Sequence, residues 1–185
     1  QVSQNIYKEL QDKGIFESYE VEIGRLAREN DKVAPQNILN DAQRKAFEEI
    51  KDSFKQKNVT LLHGVTSAGK TEIYIHLITE ALERGEQVLF MLPEIALTKQ
   101  ITERLRRVFG NKIGVYHSKF SDAERVEIWK KQLSDEPYEI ILGVRSSLFL
   151  PFKKLGLIVV DEEHENSYKQ QDPAPRYNAR NAAIV

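Results

Sequence analysis

Eight consecutive residues, Gly64, Val65, Thr66, Ser67, Ala68, Gly69, Lys70 and Thr71, fit G-x-x-x-x-G-K-[ST], the spacing of a phosphate-binding loop. Such a loop curls successive backbone N–H groups around phosphate oxygens. It needs glycine where a side chain would collide or φ is positive, and Gly64 and Gly69 stand at those places. Lys70 is then placed to carry positive charge to the β and γ phosphates, and the Thr71 hydroxyl to ligate Mg²⁺ at the mouth of the following helix. The flanks agree. Residues 58–63 form a short apolar run that reads as a buried parallel strand. Beyond the loop, Ile73, Leu77, Ile78, Ala81 and Leu82 recur at helical spacing before a Gly85 stop.

The rest of the chain alternates in the same way. Strands are predicted over 87–92, 112–117, 139–143 and 155–160. Helices are predicted before the loop, from a cap at Asn40 or Asp41, and over 121–133, an amphipathic helix with Val126 and Trp129, the latter read as core or near-core. A helix after Thr98 has Ile101, Leu105, Val108 and Phe109 inward and Arg104, Arg106 and Arg107 mostly outward. The last predicted strand runs straight into Asp161, Glu162, Glu163 and His164. An acid at a strand tip can hold Mg²⁺, and its neighbour can activate water. Strands alternating with helices imply a mainly parallel sheet with its ligand at the carboxyl ends of the strands, so both motifs fall on one rim. The expected fold is α/β, a RecA-like P-loop NTPase domain.

The formal net charge of −1 among 185 residues rules out a bulk positive field, so any nucleic-acid contact must come from local patches. There is no cysteine, hence no disulfide or thiolate metal site in these residues, and the composition suits a reducing cytoplasm. No apolar run approaches the roughly 20 residues needed to cross a bilayer, so no membrane partner is expected. Because it opens on Gln1 and carries only Met91, the chain reads as an excerpt of a longer protein. Residues 1–30, a short helix and an alternating strand over 15–23, resemble the end of a winged-helix module; 31–39 read as a linker and 40–185 as the motor domain.

The acidic motif resembles that of superfamily 2 helicases, as do Pro93-Glu94-Ile95-Ala96-Leu97-Thr98, His117-Ser118 and the run from Arg145 to Phe152. More narrowly, Gly-Val-Thr followed by Gly-Lys-Thr-Glu-Ile-Tyr, with Ser167-Tyr168-Lys169-Gln170-Gln171, resembles the PriA family of primosomal replication-restart helicases. Ser67-Ala68 departs from the Gly-Ser common in that family. The resemblance implies an ATP-dependent helicase translocating 3′ to 5′ on DNA. Lys70, Asp161, Glu162 and His164 would be catalytic, Thr71 and Asp161 would hold Mg²⁺, and Gln43 would turn toward adenine. It also implies DNA contact through Thr98, Gln100, Arg145, Tyr168, Lys169, Arg176 and Tyr177. Aromatics in the loop over 168–177 suit base stacking, and the family couples DNA to ATP through this loop.

Implied partners are single-stranded and forked DNA, the primosome and single-strand-binding proteins, and zinc would belong to a different part of the parent protein. Alternatives are another superfamily 2 translocase and a nucleotide-gated binding module without turnover. Two further expectations concern the isolated chain. It should hydrolyse ATP little or not at all without an arginine from a second motor domain. Its sheet should lack a central strand between residues 59–62 and 157–160.

Overall fold

The computed structural model describes residues 33–65, 68–93 and 99–185. The expected winged-helix remnant, the start of the linker, and Thr66, Ser67 and Thr98 lie outside the described residues. The elements run α1 (Asp41–Phe54), α2 (Lys70–Glu83), β1 (Gln87–Met91), α3 (Lys99–Phe109), β2 (Ile113–Tyr116), α4 (Asp122–Leu133), β3 (Ile140–Gly143), β4 (Leu155–Val160) and α5 (Ala179–Ala182). Single 3₁₀ turns occupy Gly110–Lys112, Arg145–Phe149 and Asn166–Tyr168.

The four strands form one parallel sheet in the order β2-β3-β1-β4. Every residue of β1 and β3 is buried, as expected of strands covered on both faces. Side chains alternate across a strand, so β1 feeds two cores. Val88 and Phe90 join Ile75, Ile78, Leu105 and Phe109 from α2 and α3. Leu89 and Met91 join Ile128, Leu150, Tyr168 and Ala179 on the opposite face. A third cluster, Leu39, Phe47, Ile50, Ile73 and Leu77, seats α1 on α2.

Local signals explain where the helices start. The cap of α1 is Asn40: its side chain accepts from the Gln43 amide at 2.9 Å, while Gln43 Oε1 accepts from the Asn40 amide at 3.0 Å. Ser121 and Glu124 make the same reciprocal box on α4, and these hydrogen bonds hold the Glu124 carboxyl below its ordinary range.

Three expectations need correction. Val126 and Trp129 are 49% and 45% exposed, because α4 turns Ile128 and Gln132 to the sheet instead. On α3, Arg104 faces back to an ion pair with the buried Glu72 and so is not part of a free basic face. Residues 58–63 form no strand. They join no ladder, and Val59 and Leu61 are 50% and 70% exposed.

The expected gap accounts for the last point. Among the described residues β4 pairs with β1 and with nothing on its other edge, so 59–62 and 157–160 are not hydrogen-bonded neighbours. A cleft of about 1180 Å³ separates them, lined at one end by Leu61, Leu155 and Leu157 and at the other by the phosphate loop and the acidic motif. An apolar run becomes a buried strand only when ladders satisfy its backbone groups, and among the described residues no strand pairs with this one.

Candidate nucleotide site

The loop at the start of α2 has two glycines with different reasons for being there. Gly69 lies at φ 78°, which favours glycine, and a Cβ on it would stand 2.3 Å from Gln43 Nε2 and displace the end of that side chain. Gly64 is not constrained in this way: a Cβ there would meet nothing closer than Lys70 Cδ at 3.7 Å, an ordinary contact.

Gly69 offers α2 no side-chain cap, and α2 is long enough for its dipole and unpaired first-turn amides to favour an anion. The Lys70 ammonium lies back on the Gly64 carbonyl at 2.8 Å. Gln43 has its carbonyl spent on the α1 cap and donates through Nε2 to the Gly69 carbonyl at 3.2 Å. It therefore braces the phosphate loop from α1. Val65 and Ala68 are exposed and close a turn through Ala68 N–H to the Val65 carbonyl at 3.2 Å.

At the tip of β4 the acids are sorted by their partners. Asp161 is half-buried; its carboxylate accepts the Tyr74 hydroxyl at 3.3 Å, and its main-chain carbonyl accepts the Tyr168 hydroxyl at 2.6 Å. Burial pushes the Asp161 carboxyl above its ordinary range and the neighbouring Glu162 charge adds to this, with a Glu162 hydrogen bond, Lys70 and Tyr74 pulling the other way. Glu162 holds φ 48°, the left-handed region that a non-glycine residue enters at a cost of about 1–2 kcal/mol. Its Oε2 lies 3.8 Å from the exposed His164 Nε2. Glu163 is tied to Arg180 at 2.5 Å.

Lys70, Asp161, Glu162 and His164 thus line one cleft. Among the described residues no group of three or more His, Cys, Asp or Glu could cage a metal. Mg²⁺ needs no such cage, since it keeps several waters and takes substrate phosphates with one or two carboxylates. The half-buried Asp161 carboxylate in the cleft suits that demand, while Thr71, half-buried in the first turn of α2, is not among the residues that line it.

The residues expected to face DNA divide differently. Tyr168 is 1% exposed, its hydroxyl shared between the Asp161 and Met91 carbonyls, so no base can stack on its ring as it stands. Tyr177 is half-buried and packs edge-on against Phe149 at 5.0 Å, leaving Phe149 57% exposed. Lys169 and Arg176 are exposed. Lys169 makes a backbone bridge to Asn178, and Arg176 lies 3.8 Å from Asp172. Arg145 donates to the Ser167 carbonyl at 3.0 Å, bringing its 3₁₀ turn onto the loop, while Gln100 is exposed on α3.

Sequence reasoning missed Tyr74, Arg180 and Phe149. The first could have been sought at one turn past Lys70, where position i+4 shares a face; no local pattern marks the other two. Among the described residues no helix is long and apolar enough to cross a membrane.

Comparison with known proteins places this geometry in context. The DEAD/DEAH box helicase family matches residues 40–182. The chain is 43% identical over 148 residues to the replication restart protein PriA of Bacillus subtilis, covering 79% of this chain and 18% of that one. It is 40% identical over 184 residues to the protein of the same name from Synechocystis, covering 98% and 22%. Against that from Rickettsia conorii it is 50% identical over 147 residues, covering 80% and 22%. The chain therefore spans about a fifth of the length of these relatives. The match to that family model across residues 40–182, in a chain whose parallel sheet ends in an acidic strand tip, makes this chain a member of the DEAD/DEAH box helicase family.

Proposed function

We propose that this chain is the first motor domain of an ATP-dependent 3′-to-5′ DNA helicase of replication restart. The observation that carries the reading is the shared cleft, in which Lys70 from the start of α2 and Asp161 from the tip of β4 face the same space. ATP binds along residues 64–71, with its phosphates on the first-turn amides of α2 and Gln43 bracing the loop on the adenine side. Lys70 exchanges the Gly64 carbonyl for phosphate oxygen. Thr71 and Asp161 hold Mg²⁺, which neutralises charge on the phosphates. Glu162 orients the attacking water and accepts its proton, and its strained backbone fits a side chain aimed by function.

DNA runs over Gln100, Arg145, Lys169 and Arg176, with Tyr177 and Phe149 as the aromatic surface. Tyr168 takes a different role, anchoring the loop to the acidic motif from below. Forked DNA, the primosome and single-strand-binding proteins are the partners of the parent protein in this reading.

The test uses the parent protein. Lys70→Ala should abolish DNA-stimulated ATP turnover, and Glu162→Gln should keep labelled ATP bound but unhydrolysed. Normal turnover in the first variant removes the phosphate-loop assignment; wild-type hydrolysis in the second removes Glu162 as the base.

A further inference from the structure

Tyr74 lies one helical turn beyond Lys70 on α2, so the two side chains leave the same face. Its ring is 9% exposed and packs edge-on against Phe90, with centroids 5.6 Å apart. That packing delivers the hydroxyl to Asp161 Oδ1 at 3.3 Å. The other side of Asp161 is also held: its N–H donates to the Met91 carbonyl at 3.0 Å and its carbonyl accepts the Tyr168 hydroxyl. With the backbone of Asp161 pinned, the remaining freedom is rotation of the carboxylate, on which the Glu162 backbone and the Tyr74 hydroxyl both act, Tyr74 being the side-chain partner. A phenylalanine would fill the same apolar space with less cost of burying a polar group, so core packing alone does not account for a hydroxyl at this position.

We propose that Tyr74 is a positioning residue for the metal site, fixing the Asp161 carboxylate in the orientation that receives Mg²⁺ from the bound nucleotide. This rests on the phosphate-loop reading above. Groups that orient metal-binding carboxylates typically change metal affinity by 10- to 100-fold when removed, and a single hydrogen bond from a neutral phenol belongs at the lower end. The hydrogen bond also links the helix that begins at the phosphate loop to the strand that ends in the acidic motif.

The experiment is Tyr74→Phe in the full-length parent protein, which keeps the ring on Phe90 and deletes only the hydroxyl. Mn²⁺ binding in the presence of a non-hydrolysable ATP analogue is read by electron paramagnetic resonance, and analogue binding in EDTA by fluorescence. The expected result is a Mn²⁺ half-saturation raised by about 10-fold, at the lower end of that range, with metal-free analogue affinity unchanged. Substituting 4-aminophenylalanine at position 74 restores a donor on the same ring and should return Mn²⁺ affinity toward wild type. A Mn²⁺ titration of Tyr74→Phe that overlays wild type overturns the proposal, as does equal weakening of analogue binding with and without metal. Absence of analogue binding by the wild-type protein would instead remove the phosphate-loop reading on which the proposal stands.

Discussion

Replacing Tyr168 by phenylalanine separates an anchoring role from a stacking one. The hydroxyl is one donor shared by two carbonyls, at 2.6 Å to Asp161 and 3.1 Å to Met91. Met91 keeps a second partner, the Asp161 N–H at 3.0 Å, so the loss falls mainly on the Asp161 carbonyl. Leaving one buried acceptor without its donor costs about 1–2 kcal/mol. In a chain of this length each kcal/mol moves the melting midpoint by roughly 2–4 °C, giving a shift of about 2–8 °C. Tyr168→Ala removes the ring as well, from a site 1% exposed, and should cost about 3–5 kcal/mol.

Urea melts of the 185-residue chain measure both, with the midpoint falling and the slope unchanged. A tyrosine whose task is to stack on bases from the surface would behave differently, since exposed substitutions away from such contacts stay within about 0.5 kcal/mol. If Tyr168→Phe falls inside that margin, the anchoring argument is wrong.

Gly69→Ala should destabilise the chain by about 2 kcal/mol, since it places a Cβ at positive φ and pushes Gln43 off the Gly69 carbonyl; a urea midpoint equal to wild type would refute the requirement for glycine. Trp129→Ala should cost under about 1 kcal/mol rather than the 3–5 kcal/mol of a buried tryptophan, because nearly half of the side chain is already in water; a larger loss in the same melts would mean that α4 packs differently.

Much of this protein was legible in the residues alone because its determinants are local. The G-x-x-x-x-G-K-T spacing, a cap at Asn40 or Asp41, and the alternation of apolar runs with helical periods each act over a few residues. They located α1, α2, α4 and all four strands of the sheet. The parallel direction of the strands also followed from chemistry, since helical crossovers join parallel neighbours, whereas their order did not. Tertiary structure decided what depends on partners distant in sequence. The apolar run over 58–63 reads as a strand, yet it has no ladder, because strand formation belongs to a pair and not to a segment. Trp129 reads as core, but the rotation of α4 is set by where Ile128 meets Leu89 and Ile141. Tyr168 reads as a stacking aromatic in a polar loop, and only the approach of residues 166–168 to the ends of β1 and β4 buries it. The sequence puts Tyr74 one helical turn past Lys70 but does not name its partner. Its contact with Asp161 spans 87 residues, and a hydrogen bond across that distance exists only once the sheet has brought the two ends together.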